Sequence, residues 1–196
     1  ANYPGITIDV SSGALRSDTR AQVWDFPGTY SLNAISGEEE VAIDALRSAL
    51  ADERPAVVAM VLDATRLEKG LTYCLQVARE AARSKKPFLV LLNMMDILEH
   101  NELALDLDGL RASLGVPVLP VSARTGNGVE AAEAALLNAS AAQSPWADTP
   151  DALIEGSAQQ IADRFVPQGE LLVRRQAKID NWLLGTASGG VAFVVI

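Results

Sequence analysis

Three short apolar runs, at residues 56–62, 88–92 and 116–121, alternate with helix-like stretches, and the last two open into polar loops. Runs of that length, apolar on both faces, mark buried parallel strands, and the helical patterns between them mark crossovers. The expected helices cover 38–50, 71–84, 103–114 and 128–142, and a further strand at 21–24 runs into a Pro-Gly turn. The third helix ends at Gly115, which suits a left-handed cap. In an open α/β sheet ligands bind beyond the carboxyl ends of the strands, so the loops after these runs should face one ligand.

The 196 residues suit one α/β domain with a small appendage, and 49% hydrophobic against 21% charged residues allows a sizeable core. A formal net charge of -9 argues against a nucleic-acid surface, which needs clustered Lys and Arg. One cysteine, Cys74, excludes an internal disulfide framework. It lies among Leu71, Leu75 and Val77 and reads as a buried filler. His100 has no partner at ligand spacing, and Glu38-Glu-Glu40 reads as a solvated first turn.

Four loops carry candidate chemistry. In Asp25-Phe-Pro-Gly28 a carboxylate at a strand end can hold Mg²⁺ through water, and the glycine lets a backbone N–H approach a phosphate; the same residues also suit a tight turn. In Asn93-Met-Met-Asp96 the Asp carboxylate offers two coplanar acceptors for guanine N1–H and N2–H₂, where adenine offers an acceptor and no amine. Asn93 can bridge neighbouring loops, and Asp96 equally suits a helix cap. In Ser122-Ala-Arg-Thr-Gly126 the Ala123 N–H can donate to guanine O6 while Ser122 shapes the loop, or the segment is an ordinary polar turn. In Asn2-Tyr-Pro-Gly-Ile-Thr-Ile-Asp9 the Thr7 hydroxyl can join Mg²⁺ when a γ-phosphate is present, or the segment is an edge strand. Each motif is short and weak by itself. Their order along the chain is that in which a regulatory GTPase meets its nucleotide.

Pro4-Gly-Ile-Thr-Ile, Asp25-Phe-Pro-Gly-Thr-Tyr-Ser-Leu32 and Asn93-Met-Met-Asp96 together resemble the ferrous iron transport protein B (FeoB) family, in register to about residue 137. The resemblance implies a P-loop NTPase-type (Ras-like) G domain with a mostly parallel sheet, binding GTP or GDP with Mg²⁺, and with K⁺ in the intact protein. It implies nucleotide contacts at Gly5, Ile6, Thr7, Asp25, Phe26, Pro27, Gly28, Asn93, Met94, Asp96, Ser122 and Ala123, and metal ligation by Thr7 and Asp25. The family's G-x-x-x-x-G-K-[ST] does not occur in these 196 residues and is expected upstream with its strand. Thr29 follows Gly28, so no glutamine is placed to orient water, and no catalytic residue is assigned. The implied activity is GTP hydrolysis in the full-length protein, the 196-residue chain itself being inactive. The implied partners are the protein's own polytopic membrane domain, small Feo accessory proteins and further copies of itself, at the cytoplasmic face of the bacterial inner membrane.

The expected organisation is a G domain over 1–142, a linker over 143–150, a short helical segment over 151–180 and the start of a membrane helix over 181–196. That last stretch has no charge from Trp182 to Ile196, and Arg174, Arg175 and Lys178 precede it, as the positive-inside bias predicts for a first span. Two other readings remain open here: a non-hydrolysing GTPase-like interaction module, and a soluble ribosome- or tRNA-associated GTPase.

Overall fold

The computed structural model describes residues 11–26, 32, 37–140, 144–167 and 191–195. Its elements are β1 (Ser11–Ala14), β2 (Gln22–Phe26), α1 (Gly37–Ala51), β3 (Ala56–Asp63), α2 (Leu67–Arg83), β4 (Phe88–Asn93), α3 (Met95–His100), α4 (Leu107–Leu114), β5 (Val118–Pro120), α5 (Val129–Leu137), α6 (Asp151–Arg164) and β6 (Val191–Val195). The six strands form one sheet in the order β1-β2-β6-β3-β4-β5. The β3, β4 and β5 strands run parallel, with Asp63 opposite Asn93 and Leu92 opposite Pro120. Their carboxyl ends therefore lie on one edge of the molecule.

Side chains alternate across a strand, and the two faces follow that parity. Val58, Met60, Leu62, Val90 and Leu92 point into the larger core with Leu46 and Leu50 of α1, Leu71 and Leu75 of α2, and Leu110 and Leu114 of α4. Val57, Ala59 and Leu89 face the other way, against Leu136 of α5. Continuous apolar runs arise because both faces of β3 and β4 are covered. Cys74 is fully buried in α2, and burial pushes its thiol up to about 12, so it is inert packing.

The segment after α5 is anchored to the sheet domain. Trp146 donates from Nε1 to the Leu114 carbonyl at 2.7 Å, and Arg83 Nε donates to the Ala147 carbonyl at 3.0 Å. Arg79 donates from Nη1 to Asp151 Oδ1 at 2.7 Å, with 8% of its side chain exposed. Ile154, Ala158 and Ile161 of α6, with Phe165 just after it, join the larger core. Residues expected to be a linker and a short helical segment thus pack against α2, with the Ala147 and Thr149 carbonyls accepting from Arg83 and Arg79.

Residues 191–195 form β6, antiparallel to both β2 and β3, within the stretch expected to start a membrane helix, an expectation that this pairing does not overturn. The run Val-Ala-Phe-Val-Val is rich in β-branched and aromatic residues and lacks a helical period, so it satisfies its backbone in a ladder. Among the described residues no helix is long and apolar enough to cross a membrane. Residues 168–180, the rest of the expected helical segment, lie outside the described residues. The expected helix at 103–114 begins only at Leu107, where Asp106 caps it by accepting from the Gly109 N–H at 2.9 Å.

Candidate functional site

Asn93 is the last residue of β4, and the chain turns at once into α3. The turn is made by Met94, whose φ of 66° lies in the left-handed region that side chains other than glycine rarely adopt. Such a residue costs of order 1 kcal/mol and is held only where its surroundings fix it. Here they do. Main-chain bonds run from Met95 N–H to the Val121 carbonyl at 3.3 Å and from Ala64 N–H to the Asn93 carbonyl at 3.0 Å. The Val121 N–H donates to the Leu92 carbonyl at 2.9 Å, so the loops after β3, β4 and β5 form one bonded unit.

Side chains complete that unit. Asn93 Oδ1 accepts from the Ala123 N–H at 3.0 Å, bridging the β4 and β5 loops. Ser122 is buried and donates from Oγ to Asp96 Oδ1 at 2.7 Å, while accepting from the Thr125 N–H at 3.2 Å. Asp96 therefore reaches across to the β5 loop; α3 has no side-chain cap, and Met94 holds its N-cap position. Gly126 and Gly128 both have positive φ, and a Cβ at Gly128 would collide with the Pro120 carbonyl oxygen. Only glycine lets this loop fold back on the strand that carries it.

The Ser122 hydrogen bond holds the Asp96 carboxyl below the ordinary carboxylate range, against partial burial and with help from Arg124. The group is ionised at neutral pH, ready to accept from N–H donors. A carboxylate with a lowered folded pKa stabilises the fold above its unfolded pKa and loses that contribution only as pH falls through the lower folded value.

Asp25 lies elsewhere on the sheet. It is exposed, next to last in β2, with Ser11 opposite on β1 and Ala192 opposite on β6. Ala192 also faces Ala59, so Asp25 sits level with Ala59, before Asp63 along β3. From β2 to β4 is three strand spacings, about 14 Å. An extended ligand with a base at Asp96 can therefore carry its other end toward Asp25. Partial desolvation raises the Asp25 carboxyl above its ordinary pKa, and a nearby cation would reverse that shift. Phe26 is buried beneath it in the core. Gly5, Ile6, Thr7, Pro27 and Gly28 lie outside the described residues.

On the Asp25 face an apolar cavity of about 260 Å³ opens between α5 and the sheet, lined by Leu15, Val23, Val61, Leu91 and Leu136 and reaching Asn93 and Ala123 at one end. Two polar residues beside the site escaped the sequence reading. Asp63 ends β3 and accepts from the Thr65 N–H at 2.8 Å and its hydroxyl at 2.7 Å. Arg124 sits over Asp96. Its only sequence signal was a cation directly after Ser122-Ala123. Among the described residues no group of His, Cys, Asp and Glu could hold a metal ion.

A family model described as ferrous iron transport protein B matches residues 1–136. The Fe(2+) transporter FeoB of Leptospira biflexa is 35% identical over 129 residues, covering 65% of this chain and 18% of that protein. The solved cytosolic domain of L. pneumophila FeoB is 32% identical with a TM-score of 0.57, over 74% of this chain and 54% of that one. NFeoB from S. thermophilus bound to GDP·AlF4⁻ and K⁺ is 32% identical with a TM-score of 0.55, over 72% of this chain and 52% of that one. The chain spans less than a fifth of the length of the curated relative it matches.

Proposed function

The chain belongs to the ferrous iron transport protein B family and carries its N-terminal G domain, and from that premise we propose that it binds GTP and GDP through Asp96 and hydrolyses GTP in the full-length protein. The observation that carries this reading is the bonded unit of Asn93, Asp96, Ser122 and Ala123 at the ends of β4 and β5. Asp96 would accept from guanine N1–H and N2–H₂. Asn93 and the Ala123 N–H would meet the base at O6, with the bond that joins them in this structure opening or being shared. Met94 holds the turn beneath the base.

At the other end Asp25 and Thr7 would serve Mg²⁺, and Gly5, Ile6, Phe26, Pro27 and Gly28 would approach the phosphates. An exposed carboxylate on the groove-bearing face suits Mg²⁺, which prefers few hard protein oxygens and keeps several waters. When bound, the ion neutralises phosphate charge; K⁺, present in the S. thermophilus relative, would add to this. The lysine and backbone nest for the β- and γ-phosphates would come from a G-x-x-x-x-G-K-[ST] segment upstream. Hydrolysis would bias residues 26–40 and the loop around Thr7, and pass that bias to a membrane domain moving Fe²⁺ at the cytoplasmic face of the inner membrane. Arg174, Arg175, Lys178 and the uncharged run that follows support an entry into that domain.

The full-length protein is expected to hydrolyse GTP with Mg²⁺ and to discriminate against ATP by at least tenfold in kcat/KM. Phosphate release measured with each nucleotide checks this. Equal turnover of ATP and GTP would remove the role given to Asp96.

A further inference from the structure

Both oxygens of the Asp96 carboxylate are already engaged. Oδ1 accepts from the Ser122 hydroxyl at 2.7 Å, and Oδ2 accepts from Arg124 Nε at 2.7 Å and Nη2 at 2.6 Å. The Arg124 side chain is 74% exposed and that of Asp96 only 8%, so the guanidinium lies on the outer side of the carboxylate, between it and solvent. The Ser122 bond can coexist with a base, because each oxygen has a second lone pair and Ser122 approaches from the buried side. The Arg124 fork cannot. Two N–H donors aimed at Oδ2 fill the direction from which a guanine edge must arrive.

We propose that Arg124 is an internal competitor for the base-reading carboxylate: it covers Asp96 and must swing into solvent before a nucleotide can dock. This rests on the reading of Asp96 given above and deepens it. Arg124 mimics the two N–H donors of guanine with its own Nε–H and Nη2–H. A guanine edge replaces that donor pair like for like. Adenine presents an acceptor to the carboxylate and gains nothing there, while the cost of moving the arginine falls on both bases alike, so discrimination stays with Asp96 and the arginine sets only affinity. Its cost to affinity is small, since the guanidinium is largely exposed and the released side chain is well hydrated. The device therefore keeps a buried carboxylate partnered between nucleotides.

The test is a double-mutant cycle in the full-length protein, with Kd for GDP, XDP and ADP read by displacement of a fluorescent GDP analogue. Arg124→Gln keeps a polar, exposed side chain and removes the charge. It is expected to tighten GDP binding by about two- to fivefold, the worth of a weak ion pair, and to leave the ratio of GDP to ADP affinity unchanged. Asp96→Asn cannot hold the arginine as an ion pair. In that background Arg124→Gln is expected to leave the Kd for XDP unchanged. Unchanged or weaker GDP binding by Arg124→Gln, with Asp96→Asn switching to XDP, overturns the competitor role and leaves the guanine assignment standing. Retention of GDP preference by Asp96→Asn overturns both.

Discussion

Replacing Asp96 by Asn is expected to turn a GDP binder into an XDP binder. The carboxylate of Asp96 lies between the β4 and β5 loops, held by Ser122 and ionised at neutral pH. Guanine brings two donors to it. An asparagine amide sets one of its own donors against guanine N2–H₂ and leaves the pocket mispaired, whereas xanthine carries a carbonyl at that position and is satisfied. Each buried group left unpaired costs about 1–3 kcal/mol. Asp96→Ala should accordingly weaken GDP at least about tenfold, and Asp96→Asn should reverse the order of GDP and XDP. Asp96→Ala also removes the Ser122 bond and so costs some stability, but α3 draws no helix cap from this side chain, and Asp96→Asn keeps an acceptor for Ser122. A competition titration with GDP, XDP and ADP checks the order. Unchanged GDP preference in Asp96→Asn would reduce Asp96 to a loop-bracing residue.

The second large effect concerns phosphate. No G-x-x-x-x-G-K-[ST] occurs in the 196 residues, and a nucleotide draws much of its affinity from such a nest and its lysine. Two charge-assisted hydrogen bonds, at about 1.5–3 kcal/mol each, correspond to at least about a hundredfold in Kd. The 196-residue chain is therefore expected to show no measurable GTP hydrolysis and to bind GDP at least a hundredfold more weakly than the same chain joined to an upstream strand and phosphate loop of its family. Calorimetric titration of both forms with and without Mg²⁺ makes the comparison. Equal affinities would show that the phosphates are held by something other than the upstream segment.

The sequence exposed those parts of the fold whose cause is local. β3 and β4 are legible as Val-, Leu- and Met-rich runs because both their faces are buried. The α2 helix is legible from Leu71, Cys74, Leu75 and Ala78, although its first turn, Leu67 to Gly70, is hidden by Glu68, Lys69 and a glycine. Elements made by their partners are not legible. β1 is Ser-Ser-Gly-Ala, exposed along its length, and is a strand only because β2 pairs with it. β6 has a composition that fits a membrane helix as well as a strand, and in this structure it pairs with β2 and β3.

The site divides the same way. Asn93, Asp96, Ser122 and Ala123 stood out as polar residues at strand ends, and the register of β4 with β5 brings them into contact. The Arg124–Asp96 pair spans 28 positions along the chain and depends on two loops meeting, which no local pattern encodes.

The central claim is that the loops at Asn93–Asp96 and Ser122–Gly126 form a guanine-reading surface. Hydrogen–deuterium exchange of the full-length protein with saturating GDP, with ADP and with neither measures this directly. GDP is expected to slow exchange at residues 93–98 and 122–127, and ADP to leave both segments at the rate of the free protein. Equal protection by the two nucleotides, or GDP protection confined to other segments, would contradict the claim.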